Sequence, residues 1–131
     1  MMLITKKPKN IGITNGKFHP CPSSPNCVST QSIDEKHKMD PINFEGSLEE
    51  ARSKIINIIK SLKRSKIIVE TEKYLHIEFR TAVWRFVDDV EFYFDETEKE
   101  IHFRSAARLG YSDMGVNKKR MENITISFMN S

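Results

Sequence analysis

No stretch of the chain comes near the roughly 18 consecutive apolar residues that a membrane-crossing helix needs. Charge of one sign is also lacking: 21 Lys and Arg stand against 18 Asp and Glu, a formal net charge of +3. So small a surplus does not mark a nucleic-acid binder. Glycine and proline are scarce, at five residues each, which excludes collagenous and low-complexity sequence. No secretory leader is expected either. Lys6, Lys7 and Lys9 follow the first apolar residues, whereas a signal peptide places its basic residues ahead of an apolar run of about 7–15. The expectation is a soluble cytoplasmic protein with no membrane and no nucleic-acid partner. The 131 residues leave room for one domain and not for two independent cores.

What is present divides unevenly. All five prolines (Pro8, Pro20, Pro22, Pro25, Pro41) and both cysteines fall within residues 1–47. Apolar residues there keep no period of 2 or 3.6, so this part reads as a loop-rich strap. Phe18, Val28, Ile33 and Phe44 would anchor it over a core formed by residues 48–131, the two parts making one domain. The core opens with a capping box at Ser47 and Glu50. Leu48, Ala51, Ile55, Ile58, Ile59 and Leu62 then form one apolar stripe, which predicts a helix over 48–62.

Four strand candidates follow. One is the run Ile67 to Val69. In the other three, Leu75, Ile77 and Phe79, then Val90, Phe92 and Phe94, then Ile101 and Phe103 alternate with polar residues. Period 2 with one polar face predicts an antiparallel sheet covered on one side. Met114, Asn117, Met121, Ile124 and Phe128 predict a closing helix over 116–129, although Ile124, Ile126 and Phe128 also fit a strand. The fold class is two-layer α+β, an antiparallel sheet of about four strands with two helices on one face.

Cys21 and Cys27 are separated by Pro-Ser-Ser-Pro-Asn. That spacing permits a disulfide, while a cytoplasmic redox poise argues for reduced thiols, so a redox pair is one reading of two. A zinc site built from Cys21, Cys27, His19 and His37 would lack paired C-x₂₋₄-C spacing, and neither metal nor cofactor is expected. Asp88 and Asp89 are neighbours on a strand and point to opposite faces, so they cannot serve one cleft as an acid–base pair. The expectation is backbone hydrogen bonding for Asp88 and an arginine partner for Asp89.

Arg80, Arg85, Arg104, Arg108 and Arg120 lie in or near the strands and their exit. Arginine offers a rigid fork to carboxylate or phosphate, so the choice is between an anion site and a solvated face on which Arg80, Arg104 and His102 alternate with Glu78 and Glu91 in ion pairs. Lys118, Lys119 and Arg120 would crowd the positive end of the last helix, which needs an acid or a bound anion nearby, and Asp113 is the local candidate. Gly110 and Gly115 bracket Tyr111, Ser112, Asp113 and Met114 and permit a tight backbone. The antiparallel register brings the chain near Asp89 opposite the chain near Arg104 and Ser105. Arg104, Arg108 and Arg120 would thus meet Asp88 or Asp89 at one sheet edge, with Tyr111, Asp113 and Asn117 beside them. If arginines outnumber carboxylates there, the cluster holds an anion.

Three segments are distinctive: Cys21 to Ser29, Trp84 to Phe92, and Phe103 to Arg120. With their order and spacing they resemble the bacterial and plant family catalogued as domain of unknown function 1499, from about Lys17 to Ile124. The resemblance implies a single domain of this length and no particular activity. The family's recurring residues fall on Cys21, Cys27, Asp88, Asp89, Arg104, Arg108, Asp113, Asn117 and Arg120. Where the family often has a pair such as Phe-Gly, this chain has Trp84-Arg85. The functional expectation is a domain that binds a small anionic or polar ligand, or a protein partner. The rivals are an enzyme, for which no nucleophile–base pair is legible, and a structural protein whose polar network fixes the fold.

Overall fold

The computed structural model describes residues 8–82, 86–110 and 113–131. Ten elements follow in order: β1 (Ile13–Thr14), β2 (Lys17–Phe18), β3 (Cys27–Ser29), β4 (Ile42–Asn43), α1 (Leu48–Ser61), β5 (Ser65–Glu70), β6 (Tyr74–Arg80), β7 (Val87–Asp95), β8 (Glu100–Ala107) and α2 (Val116–Met129). α1 starts where its apolar stripe starts, at Leu48. The capping box of α1 is complete: the Ser47 hydroxyl accepts from the Glu50 amide at 3.0 Å, and the Glu50 carboxylate accepts from the Ser47 amide at 3.2 Å. At the other end, Leu62 is the C-cap.

β5 to β8 form an antiparallel meander, as the alternation predicts, but the sheet is larger than four strands. Its order is β3-β8-β7-β6-β5, with β4 also on β8, six strands in all, and β1 and β2 form a separate two-stranded hairpin. The extra strands come from the first 47 residues. Cys27 to Ser29 pair with Ala106 to Arg104, and Ile42 with Ile101. These pieces are two or three residues long, too short to carry a period. Pairing with β8 supplies the hydrogen bonds that their own sequence does not announce.

Leu75, Ile77, Phe92, Phe94, Ile101 and Phe103 are fully buried against α1 and α2. α2 adds Met121, Ile124 and Phe128 to this core, while Ile126 stays exposed, which rules out the strand reading of the chain end. Met114, expected on the same face, precedes the helix and is exposed.

The polar face of the sheet departs most from expectation. Period 2 predicts a solvated face, yet His76, Asp89, Glu91 and Arg104 are all 1% exposed or less. The strap lies over them. The Gly12 amide donates to Glu91 at 2.9 Å, and Arg104 donates to the Pro20 carbonyl at 3.4 Å. Gly16 comes so close to Tyr93 that a Cβ there would stand 3.3 Å from its ring. The sheet is therefore covered on both sides, by helices on one face and by the strap on the other. Phe18, Val28 and Phe44 are buried as expected, whereas Ile33 is 97% exposed and anchors nothing.

Candidate functional site

β7 sets the geometry. Asp88 and Asp89 occupy adjacent positions, so the strand sends one carboxylate to each face of the sheet. On the strap face, Asp89 lies opposite Ala106, within two residues of the predicted register. Arg108 follows β8 and forks onto Asp89, with Nε on Oδ2 at 2.7 Å and Nη2 on Oδ1 at 2.9 Å. Its Nη2 also meets Glu78 Oε2 at 2.7 Å, and His76 Nε2 lies 2.7 Å from Asp89 Oδ1. Burial pushes the Asp89 carboxyl up, but the hydrogen bonds from His76 and Arg108 outweigh it and hold it below the usual range. The hydrogen bond to Asp89 conversely holds Arg108 above the usual guanidinium value.

A second cluster continues along the same face. Glu91 Oε2 accepts from the Tyr74 hydroxyl at 2.6 Å as well as from Gly12. Burial and the Glu91 carboxylate raise the Tyr74 phenol far above its ordinary value, so it stays protonated and donates. Arg104 Nη1 stands 3.6 Å from Glu91 Oε1. Among the described residues, Glu91 Oε1, Arg104 Nε and His76 Nδ1 have no hydrogen-bond partner. Burial lowers Arg104, and the Glu91 charge opposes that.

On the helix face, Arg120 donates to Asp88 at 2.8 Å and to the Asn117 amide oxygen at 2.9 Å. Its guanidinium lies 4.7 Å from the Phe79 ring centroid, within cation–π reach. Ser105 donates to the same Asn117 oxygen. Burial raises the Asp88 carboxyl, and the Arg120 charge only partly offsets it. Asp88 thus pairs with an arginine, contrary to the backbone bonding expected of it. Asp113 accepts from the amides of Gly115 at 2.9 Å and Asn117 at 3.0 Å, and from the Asn117 side chain at 2.7 Å. Burial pushes Asp113 up, but these bonds outweigh it and lower its pKa. They supply the acid that the crowded cations of α2 require, because Gly115, at φ 80°, has no side chain to cap with.

The predicted cluster gathers at one end of β7 and β8 but divides over two faces. Arg104, Arg108 and Asp89 lie under the strap, while Arg120, Asp88, Asp113 and Asn117 lie under the helices. Tyr111 and Arg85 fall outside the described residues. Among the described residues arginines do not outnumber carboxylates on the strap face, where Glu78, Asp89 and Glu91 meet Arg80, Arg104 and Arg108 within 3.6 Å. Cys21 and Cys27 are joined in a disulfide, with Cα atoms 5.7 Å apart, which decides between the two readings of the loop. His37, weighed as a zinc ligand, instead meets the Asp34 carboxylate at 2.8 Å and the Ser24 carbonyl at 2.9 Å.

Uncompensated charge lies elsewhere. A groove of about 460 Å³ runs between the end of α1, the end of β6 and α2. Ile58, Leu62, Phe79, Val116 and Ile124 supply its apolar surface, and Lys63, Arg64, Arg80, Lys119 and Arg120 its charges. No carboxylate is among the described residues that line it. Arg120 is held by Asp88, and Arg80 lies 3.6 Å from Glu78. Lys63, Arg64 and Lys119 have no carboxylate within 4 Å among the described residues.

Residues 17–128 match the family model described as a protein of unknown function (DUF1499). The chain belongs to this DUF1499 family. No curated protein matches it. The DUF1499 match takes in the cysteine loop, all of β5 to β8 and the groove. It begins at Lys17, so Gly12 and β1 precede the segment that matches.

Sequence reasoning set Glu78 and Glu91 on the polar face with Arg80 and Arg104, but it missed His76 and Tyr74 as members of the strap-face network. Their signal was their place on the polar phase of β6, where His76 lies opposite Glu91 and Tyr74 opposite Tyr93. It also missed the groove, whose cations come from three elements far apart in the chain. Lys63 and Arg64 stand just past the helix predicted over 48–62, Arg80 on a strand face, and Lys119 at a helix start.

Proposed function

We propose that this domain binds a small anion-bearing ligand in the groove between α1 and α2. The observation that supports this reading is the imbalance of charge: of the five cationic side chains that line the groove, Lys63, Arg64 and Lys119 have no carboxylate within 4 Å among the described residues. Its volume lies within the roughly 300–1,000 Å³ usual for small-molecule sites. Arg120 is the residue from the predicted cluster that reaches it. Asp88 and Asn117 hold the guanidinium in place, so it offers a preset direction to an anion.

Asp89, Arg104 and Arg108, also predicted to touch the ligand, serve a different role on this reading. On the strap face Asp89 and Glu91 meet Arg108 and Arg104, and Glu78 stands between Arg108 and the half-buried Arg80. The network fixes strap to sheet, which keeps the structural rival alive for that face. The disulfide supports a compartment that keeps thiols oxidised, rather than the cytoplasm expected from the sequence.

Titration with inorganic phosphate and sulfate, followed by amide chemical shifts, tests the binding reading. Saturable shifts at Thr81, Val116 and Lys119 are expected, and they should disappear in a folded Arg64→Glu, Lys119→Glu double variant. Shifts confined to Arg104 and Arg108, or none at all, would contradict it.

A further inference from the structure

The groove that carries these cations is not polar throughout, and its apolar part narrows the ligand class. Leu62 and Val116 are 37% and 44% exposed, although both are large apolar side chains. They face a common space with Ile58, Phe79 and Ile124, between two helices that pack on one sheet. A bare inorganic anion would gain nothing from that surface and would leave it wet. A neutral apolar ligand would gain nothing from Lys63, Arg64 and Lys119. The ligand that satisfies both parts carries an apolar chain and an anionic end.

We infer that the groove takes a soluble single-chain amphiphile, an alkyl or acyl chain ending in a phosphate or carboxylate. This deepens the anion-binding reading and rests on it. The chain lies along Ile58, Leu62 and Val116, and the headgroup meets Arg64, Lys119 and Arg120. The distribution of charge supports this orientation. Arg120 is anchored by Asp88 at 2.8 Å and stacked over Phe79, so the inner cation stands where the apolar surface and the charge meet. Arg64 is fixed as well. It has a left-handed backbone at φ 61° and donates through Nε to the Arg80 carbonyl at 3.2 Å, which sets its guanidinium at the edge of the groove. Fixed guanidinium groups lose less freedom on binding than free lysines do.

Isothermal titration with inorganic phosphate, butyl phosphate and octyl phosphate, the last below its micelle concentration, separates the two levels of the argument. Each methylene that leaves water should tighten binding about twofold to fourfold. Octyl phosphate should therefore bind more tightly than butyl phosphate, and butyl more tightly than inorganic phosphate. Leu62→Gln and Val116→Gln change exposed positions, so the fold should persist. These variants should lose the chain-length dependence and keep the phosphate response. Equal affinity for all three probes overturns the amphiphile and leaves anion binding standing. No binding by any probe overturns both. Co-sedimentation with anionic phospholipid vesicles distinguishes the source of the headgroup. Capture by vesicles without a response to octyl phosphate overturns the soluble ligand in favour of a membrane surface.

Discussion

Asp88 and Asp89 are consecutive residues of β7 that bind arginines on opposite faces of the sheet, Asp88 taking Arg120 at 2.8 Å and Asp89 taking Arg108 at 2.7 Å. The strand thus ties α2 to one face and the exit of β8 to the other at a single point in the chain. The two carboxyls respond to that placement in opposite directions. Asp88 is raised because burial dominates, and Asp89 is lowered because His76 and Arg108 together overcome burial.

The two groups should leave opposite marks on stability in acid. A lowered carboxyl stabilises the fold above its unfolded pKa, and this is lost as pH falls through the folded value. For Asp89, the loss begins below the ordinary Asp value of 3.8. A raised carboxyl does the reverse: its favourable contribution is complete at low pH and fades as pH rises through the folded value. Asp89→Asn should cost about 3 kcal/mol at pH 7, since it breaks the buried two-pronged pairing with Arg108 while Glu78 stays in place. It should also flatten the acid limb of the stability curve. Asp88→Asn should steepen that limb. Urea midpoints between pH 7 and pH 3 measure both, and parallel curves for the three proteins would refute the assignment.

The two helices depend on caps of different construction. α1 is closed by Ser47, within the chain turn that enters it, whereas α2 is closed by Asp113, two residues ahead of Gly115. Ser47→Ala and Asp113→Ala should each cost about 0.5–2 kcal/mol. Asp113→Ala should also disturb Asn117, whose side chain it holds at 2.7 Å, and through it Arg120. Amide shifts at Arg120 and Phe79 should therefore move in Asp113→Ala and stay in place in Ser47→Ala. An unchanged denaturation midpoint in either variant would count against that cap.

Opening the Cys21–Cys27 disulfide should loosen the strap before the core. The closed loop is short, so its loss should cost about 2 kcal/mol by the chain-entropy argument. Pro20, next to Cys21, accepts from Arg104, so the effect should appear first over the polar face. Hydrogen exchange of oxidised protein and of a Cys21→Ser, Cys27→Ser variant can locate it. Faster exchange confined to residues 8–30 is expected, and uniform acceleration across β5 to β8 would contradict the local effect. Mass spectrometry of protein isolated without reductant reports whether the bond is closed in the cell.

Much of the core was legible because each element states its own period. The stripe of α1, its capping box, the alternation in β6 to β8 and the face of α2 need no partner to be recognised. The same alternation misled where it mattered for the site. His76, Glu91 and Arg104 lie on a polar phase, and a polar phase ordinarily faces water. Nothing local announces that a loop-rich strap will bury it, because the covering residues belong to a segment without periodicity.

The sequence by itself determined the α+β class, the first helix and its cap, and the opposite facing of Asp88 and Asp89. Each follows from the local geometry of one helix or one strand. Only the tertiary structure decided that β3 and β4 join the sheet, that the cysteines pair, and that the polar face is sealed beneath the strap. It alone also divided the arginines, balancing Arg104 and Arg108 against buried carboxylates and gathering Lys63, Arg64, Arg80, Lys119 and Arg120 around one groove. The reason is physical: a charge is counted against its neighbours in space, and those neighbours come from elements far apart in the chain.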